Sequence, residues 1–269
     1  MKTFITFSDG YLNDELTKVL QESISTFSKY PLKVYRKEDF DVQYDTNDPT
    51  FWSSGKGYVY KILSCLKALE EYDEVVWIDT DCVVTNYIDK IWFESWRVNS
   101  YPLLPKYRFN VFKKELSNGM DLPDVSESWF LENGKNKVGV STVERKFYSQ
   151  ACFMLFNNSC KDFLEETLGY FNDYDSDCFP NGDESIINCL LWKYKFNDSL
   201  GDIFLCSHFF GYYMMHIISI NERDKFMDIN YTPSQNIFEN ILFLHGNKNP
   251  MFVNEILKSL IENRIGNKK

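Results

Sequence analysis

Val75-Val76-Trp77-Ile78-Asp79-Thr80-Asp81-Cys82-Val83-Val84 is the stretch around which the rest of this chain is organised. Four apolar residues run into Asp-x-Asp, and three more follow. A short run rich in Val and Ile reads as a strand buried on both faces. If the strand continued, carboxylates at i and i+2 would share one face. A turn at Asp79 would instead gather both just past the strand's C-terminal edge, where open α/β sheets bind ligands. Two adjacent carboxylates repel one another and lose hydration, so the arrangement calls for a positive charge between them. Hard oxygen donors suit Mg²⁺ or Mn²⁺, usually with help from substrate phosphates. A solvated acidic turn is the plainer explanation of the same residues.

Composition narrows the classes. The 269 residues are 44% apolar and 17% aromatic, enough for the core of one large α/β domain. Asp plus Glu is 39 against 29 Lys plus Arg, a net charge of −10, so no nucleic-acid partner is expected. A nucleotide held through a metal is compatible with that charge. Seven cysteines without CxxC pairs point to reduced thiols, a cytoplasmic location and no structural zinc. Cys65, Cys152, Cys189 and Cys206 lie in apolar segments and read as core residues. No secretory leader and no run of 18 apolar residues is seen, so no integral membrane segment is expected and the sequons at Asn157, Asn197 and Asn230 carry no meaning.

Outward from the Asp-x-Asp stretch, the chain alternates. Phe4-Ile5-Thr6-Phe7 predicts a strand, Leu12 to Phe27 a helix, and Leu32-Lys33-Val34-Tyr35 a second strand. A βαβ start implies a parallel sheet with the first strand near its centre. Ser8-Asp9-Gly10-Tyr11 would then lie on the ligand edge, although a capped helix start explains it equally. Val59, Ile62, Leu63, Leu66 and Leu69 form a helical stripe that feeds the Asp-x-Asp strand, with Lys56 and Lys61 toward its start. Residues 97–147 read as an inserted lobe rich in aromatics, too long for a plain loop. Ala151 to Phe156 predicts a buried strand ending at Asn157, and Phe163 to Phe171 a helix. Gly182-Asp183-Glu184 opens another helix, at which Asp183 is a possible N-cap. Ile203 to Cys206 and Ile241 to Leu244 predict strands, the second running into His245-Gly246-Asn247-Lys248-Asn249-Pro250. A helix over about 250–265 closes the chain.

This order of motifs resembles the GT-A glycosyltransferases, most nearly glycosyltransferase family 8, the glycogenin and bacterial galactosyltransferase group. The resemblance covers most of residues 1–250, as short motifs in sequence. Phe7-Ser8-Asp9-Gly10-Tyr11 is similar to the family's turn after the first strand. Lys61 stands for its basic residue on the helix before Asp-x-Asp, and Asp79-Thr80-Asp81 for the Asp-x-Asp itself. Gln150, Cys152 and Asn157 stand for the Asn, Gly and Asn of its next strand motif. Asp183-Glu184 stands for Asp-Gln, and His245-Gly246-Asn247-Lys248-Asn249-Pro250 is a shortened form of its C-terminal His-Gly-Lys-Pro element, without the Trp.

The resemblance implies a single GT-A domain over residues 1–269: a central, mostly parallel sheet flanked by helices, with the insertion after the Asp-x-Asp strand. It implies transfer of a sugar from a nucleotide-sugar donor, a UDP-hexose, to a glycan or other hydroxyl acceptor, with retention of configuration. Asp79, Asp81 and His245 would hold Mn²⁺ or Mg²⁺, imidazole favouring Mn²⁺. Phe7, Ser8, Asp9, Tyr11, Lys61, Thr80, Gly246 and Lys248 would bind the donor nucleotide. Asp183, Glu184 and Gln150 would stand at the reacting sugar. Two other readings remain at this point. A haloacid-dehalogenase-type phosphatase would use Asp79 as nucleophile and Asp81 as acid/base. A catalytically silent domain would bind a sugar nucleotide without turnover. Donor sugar, acceptor and oligomeric state are not legible.

Overall fold

The alternation of Val75, Val76, Trp77 and Ile78 sorts the core into two layers, one on each face of a sheet. The coordinates are a computed structural model, which describes residues 1–42, 44, 51, 55–84, 89, 106–107, 129–139, 151–179, 182–194, 203–210, 213–220, 241–246 and 248–266. Strand β1 (Lys2–Phe7) leads to helix α1 (Tyr11–Phe27) and strand β2 (Leu32–Tyr35). Helix α2 (Val59–Glu71) leads to β3 (Glu74–Ile78), the Asp-Thr-Asp turn and β4 (Cys82–Val84). After the short β5 (Lys106–Tyr107) come α3 (Trp129–Val138), β6 (Phe153–Asn157), α4 (Lys161–Asn172) and α5 (Asp183–Lys193). β7 (Ile203–Phe210), β8 (Tyr213–Ile220), β9 (Ile241–His245) and α6 (Pro250–Gly266) follow.

The first sheet has the order β2-β1-β3-β6. β1 runs parallel to both β2 and β3, as the βαβ start requires, and β6 is antiparallel to β3. Side chains alternate across a strand. Ile5, Val75, Trp77, Met154 and Phe156 therefore face α2, α4 and α5, where Ile62, Leu69, Leu164 and Leu190 complete one core. Phe4, Val76, Ile78, Phe153 and Leu155 face the other way, onto Leu16, Leu20 and Ile24 of α1 and Val253 and Leu257 of α6. All these strand residues are nearly or wholly buried. That is why the sequence reads as an unbroken apolar run rather than a polar alternation. The α/β class with helices on both sides of a largely parallel sheet is thus the one expected.

A second sheet, β4-β9-β8-β7-β5, was not expected. Its pairs are antiparallel except β5 with β7. Tyr213-Met214-Met215-His216-Ile217-Ile218-Ser219-Ile220 lacks clean alternation, so β8 escapes a period-2 reading. A usable signal was present: Gly211-Tyr212 links residues that pair as Phe210 and Tyr213, and Gly first in a two-residue link is hairpin chemistry. β4 belongs to this second sheet, so the Asp-Thr-Asp turn is the point where the chain leaves one sheet for the other. No helix among the described residues is long and apolar enough to cross a membrane. Of the inserted lobe, β5 and α3 are described; β5 pairs with β7, and α3 packs on α5. Trp92, Trp96 and the Pro102–Pro105 segment lie outside the described residues.

Candidate active site

β3 ends at Ile78, and the backbone is caught at once. The Asp79 N–H donates to the Cys152 carbonyl (2.9 Å), and the Cys82 N–H donates back to the Asp79 carbonyl (3.1 Å). These bonds make the turn that the Asp-x-Asp pattern predicts and set both carboxylates beyond the strand. The Gly246 N–H donates to the Asp81 carbonyl (3.4 Å), tying the end of β9 to the same turn. Gly246 has φ +103°, a conformation side-chain-bearing residues rarely adopt.

Asp79 looks two ways. Its Oδ1 accepts from the Trp77 indole Nε1 (2.6 Å) and lies 3.1 Å from Lys61 Nζ. Lys61 Nζ is also 2.9 Å from Asp183 Oδ2 and donates to the Ala151 carbonyl (2.9 Å). Lys61 Nζ thus has the Ala151 carbonyl as hydrogen-bond acceptor and two carboxylate oxygens as ion-pair partners. Lys61 and Asp183 are 5% and 2% exposed, so this is a buried charge cluster. Burial disfavours the ammonium, but the Asp183 and Asp79 carboxylates outweigh it and hold the Lys61 pKa well above its ordinary value. Burial also raises Asp79, against which Lys61, His245 and Trp77 prevail, leaving its carboxyl well below the usual range. At Asp183 burial wins over Lys61, with repulsion from Asp79 behind it, and its pKa is raised.

On the other side, Asp79 Oδ2 is 3.6 Å and Asp81 Oδ1 3.3 Å from His245 Nε2. Asp81 and His245 are both nearly buried. Burial works against an imidazolium, yet Cys152, the Asp81 carboxylate, Cys82 and Asp79 favour it, so the His245 pKa stands well above its ordinary value. In effect the imidazole supplies the positive charge that the two carboxylates call for. His245 and Cys82 are cross-strand partners on β9 and β4, and His216 of β8 is the partner of His245 on its other side. Asp81, Cys82 and His245 each offer a ligand atom, all within 4.8 Å of one another.

The structure therefore brings together Asp79, Asp81, His245, Lys61 and Asp183. Glu184, half-buried, accepts from the Ala151 N–H (3.2 Å), one residue past Gln150, which lies outside the described residues. Asp183 is the first residue of α5 and not its N-cap, and its carboxylate meets Lys61. Gly55 and Gly182 explain how the segments leading into α2 and α5 approach closely enough for that contact. Both have positive φ, and a Cβ on Gly182 would stand 2.5 Å from the Tyr58 ring. Thr80 is partly exposed in the turn, and Gly246 and Lys248 are exposed beside it.

The turn after β1 forms a separate group at the same edge. The Phe7 ring stacks on Tyr60, with centroids 4.5 Å apart and planes at 4°. The Ser8 hydroxyl donates to Asp14 Oδ1 (2.8 Å), and Arg36 ion-pairs with the same oxygen. The Asp9 carbonyl accepts from the Asn13 amide (2.9 Å). Gly10, not Ser8 or Asp9, occupies the N-cap of α1, and Tyr11 is its first residue. Sequence reasoning passed over Arg36, Asp14, Trp77 and Cys82. Arg36 directly follows β2 at the same sheet edge as Ser8, a signal that was available. Trp77 and Cys82 sit inside the decisive stretch but were read only as apolar.

No protein-family model matches the chain, and no curated protein does. Among solved structures it is similar to a glycosyltransferase involved in the glycosylation of the major capsid of PBCV-1, at 10% identity over 74% of this chain and 78% of that one (TM-score 0.40). It is similar to the apo bifunctional glycosyltransferase WbbM, at 16% identity over 71% of this chain and 38% of that one (TM-score 0.46). It is also similar to the galactosyltransferase LgtC in complex with donor and acceptor sugar analogues, at 12% identity over 71% and 70% (TM-score 0.38). Likeness of this extent does not decide the function, which has to rest on the site.

Proposed function

We propose that this chain is a GT-A glycosyltransferase that moves a sugar from a nucleotide-sugar donor, a UDP-hexose, to a hydroxyl of a glycan or other acceptor, with retention. One observation carries the reading: His245 Nε2 lies 3.3 Å from Asp81 Oδ1 and 3.6 Å from Asp79 Oδ2, at the point where the chain crosses between two sheets. Two carboxylates and an imidazole that converge in this way fit Mn²⁺ or Mg²⁺. When bound there, such an ion supplies Lewis acidity to the departing diphosphate.

The chain's own residues do the rest. Breaking the bond between the anomeric carbon and the phosphate puts negative charge on the diphosphate and positive charge on the ring. Pre-placed groups of opposite charge lower that barrier without reorganising. Lys61 and Trp77 fix Oδ1 of Asp79, so only Oδ2 is left toward His245 and the ligand arrangement is set in advance. Exposed Gly246 lets backbone approach the phosphates, and exposed Lys248 adds a point charge to them. Ser8, Asp9 and Tyr11, on the turn that Asp14 and Arg36 brace, receive the nucleoside with Phe7, and Thr80 lies between the two ligand carboxylates. Glu184, half-buried, and behind it the buried Asp183 stand at the transferred sugar in this reading, where a carboxylate favours the oxocarbenium-like ring; the Gln150 that the resemblance adds lies outside the described residues. Lys61 serves this site as the counter-charge joining Asp79 to Asp183.

The phosphatase reading places Asp-x-Asp on the first strand of its fold. Here it follows β3, with a complete βαβ unit before it. It also leaves His245 without a part. The test is a panel of nucleotide sugars with Mn²⁺, scored for released nucleoside diphosphate and for the anomeric configuration of the product. Turnover should require the ion. Full activity in excess chelator would remove metal dependence, and an inverted product would remove retention. A trapped phosphoaspartate on Asp79 would restore the phosphatase, and donor binding without turnover the silent module.

A further inference from the structure

The seven cysteines lack the paired spacing of a structural zinc site, yet the fold carries one of them into the acidic turn. Cys82 opens β4 directly after Asp81 and pairs across the ladder with His245. Directly opposed residues on an antiparallel ladder share a face, with Cβ atoms about 4.5–5.5 Å apart. Cys82 Sγ, an Asp81 oxygen and a His245 nitrogen accordingly lie within 4.8 Å of one another, all buried. Zn–S is about 2.3 Å and Zn–N and Zn–O about 2.0–2.2 Å, which gives tetrahedral edges of roughly 3.5 Å. The His245–Asp81 edge, at 3.3 Å, is already of that length. The third donor is a sulfur, which an ion chosen for hard oxygen ligands would not use. Zinc prefers sulfur and nitrogen donors, and at any such site it outranks manganese.

We propose that Asp81, Cys82 and His245 form a mixed oxygen, sulfur and nitrogen site for a thiophilic divalent cation, zinc being the ion it fits, and that this cation excludes the harder one. Binding forms the S–metal and N–metal bonds and breaks the Cys82 S–H bond and the His245 imidazolium N–H bond, with both protons released to solvent; a cation that takes the imidazole but not the sulfur releases only the second. Three protein ligands leave a fourth position open. The site stands on its own geometry; the consequence that zinc inhibits sugar transfer rests on the function proposed above.

Cobalt(II) is the probe, added to the metal-free 269-residue chain. We expect one equivalent to give a near-ultraviolet thiolate-to-cobalt band with visible bands of tetrahedral intensity, both displaced by zinc. The ultraviolet band should vanish in Cys82→Ser and persist in Cys152→Ser. By calorimetry zinc should bind wild type at least about tenfold more tightly than manganese, an advantage that Cys82→Ser removes. Proton release compared in two buffers needs no variant, and zinc should release about one proton more than manganese. Absence of the ultraviolet band in wild type would overturn the proposal, as would equal proton release, or a band that follows Cys152 instead. If the band appears but no nucleotide sugar turns over, the site stands and the transferase reading falls. Mn²⁺-dependent turnover that zinc leaves untouched would instead sink the exclusion.

Discussion

Asp79 joins two clusters that handle charge differently. On the Lys61 side, a buried ammonium sits between Asp79 and the buried Asp183 and donates to the Ala151 carbonyl. On the His245 side, Asp79 and Asp81 meet an imidazole, whose charge is conditional. The first cluster carries a permanent counter-ion and behaves as framework. The second carries a positive charge that can be given up, so a divalent cation can take its place. A single carboxylate shared between them makes the framework cluster the device that orients the exchangeable one.

The largest effect should come from breaking the framework. Lys61→Met leaves Asp79 and Asp183 with no ammonium between them, and removing one partner of a buried ion pair costs about 3–5 kcal/mol. Urea unfolding would show it, and adding Asp183→Asn should recover part of the loss. A change of a few tenths of a kcal/mol would mean that the two sides of Asp79 do not differ as described.

Next is the response to metal. A cation present at 100 times its Kd should raise the unfolding free energy by about 2.7 kcal/mol. Asp81→Asn should abolish most of that rise while leaving metal-free stability near wild type. Thermal melts with and without Mn²⁺ give both numbers, and a full rise in the variant would remove Asp81 from the ligand set.

Gly246→Ala should cost about 1–2 kcal/mol, because φ +103° is strained for any residue with a Cβ. In melts with and without cation, a loss of metal response beyond that cost would show that this glycine also shapes the exchangeable side.

The smallest effect lies away from Asp79 and serves as a reference. Hydrogen bonding from Ser8, opposed slightly by burial and assisted by Arg36, holds the Asp14 carboxyl below its usual value of 3.8. A lowered carboxylate contributes stability above its unfolded pKa, and that contribution fades as pH falls through the folded value. Asp14→Asn should therefore lie slightly below wild type at neutral pH and converge with it in acid. Urea midpoints between pH 2 and 6 would check this, and parallel curves would exclude the linkage.

Much of the first sheet was legible because its signals are local. The run Val75 to Ile78 reads as buried on both faces, and α1, α2 and α5 follow from apolar stripes at helical spacing. The turn at Asp79 that ends the buried strand was legible too. β7 and β9 were legible as strands at Ile203 to Cys206 and Ile241 to Leu244, but β8 and the pairing that makes a second sheet were not, because the pattern of β8 has no clear period and the β4–β9 pairing joins residues far apart in the chain.

By itself, then, the sequence determined which residues carry charge, which segments must be buried, and that a carboxylate pair ends a buried strand. Only the tertiary structure decided how those charges are partnered. Lys61 and Asp183 are far apart in sequence, and whether that lysine points to solvent, to a phosphate or to a carboxylate depends on how closely the segments leading into α2 and α5 approach at Gly55 and Gly182. Cys82 and His245 meet only because β4 and β9 share one register. Local propensity acts over a few residues, whereas ion pairing and ligand geometry are fixed in space, and only a completed fold specifies them.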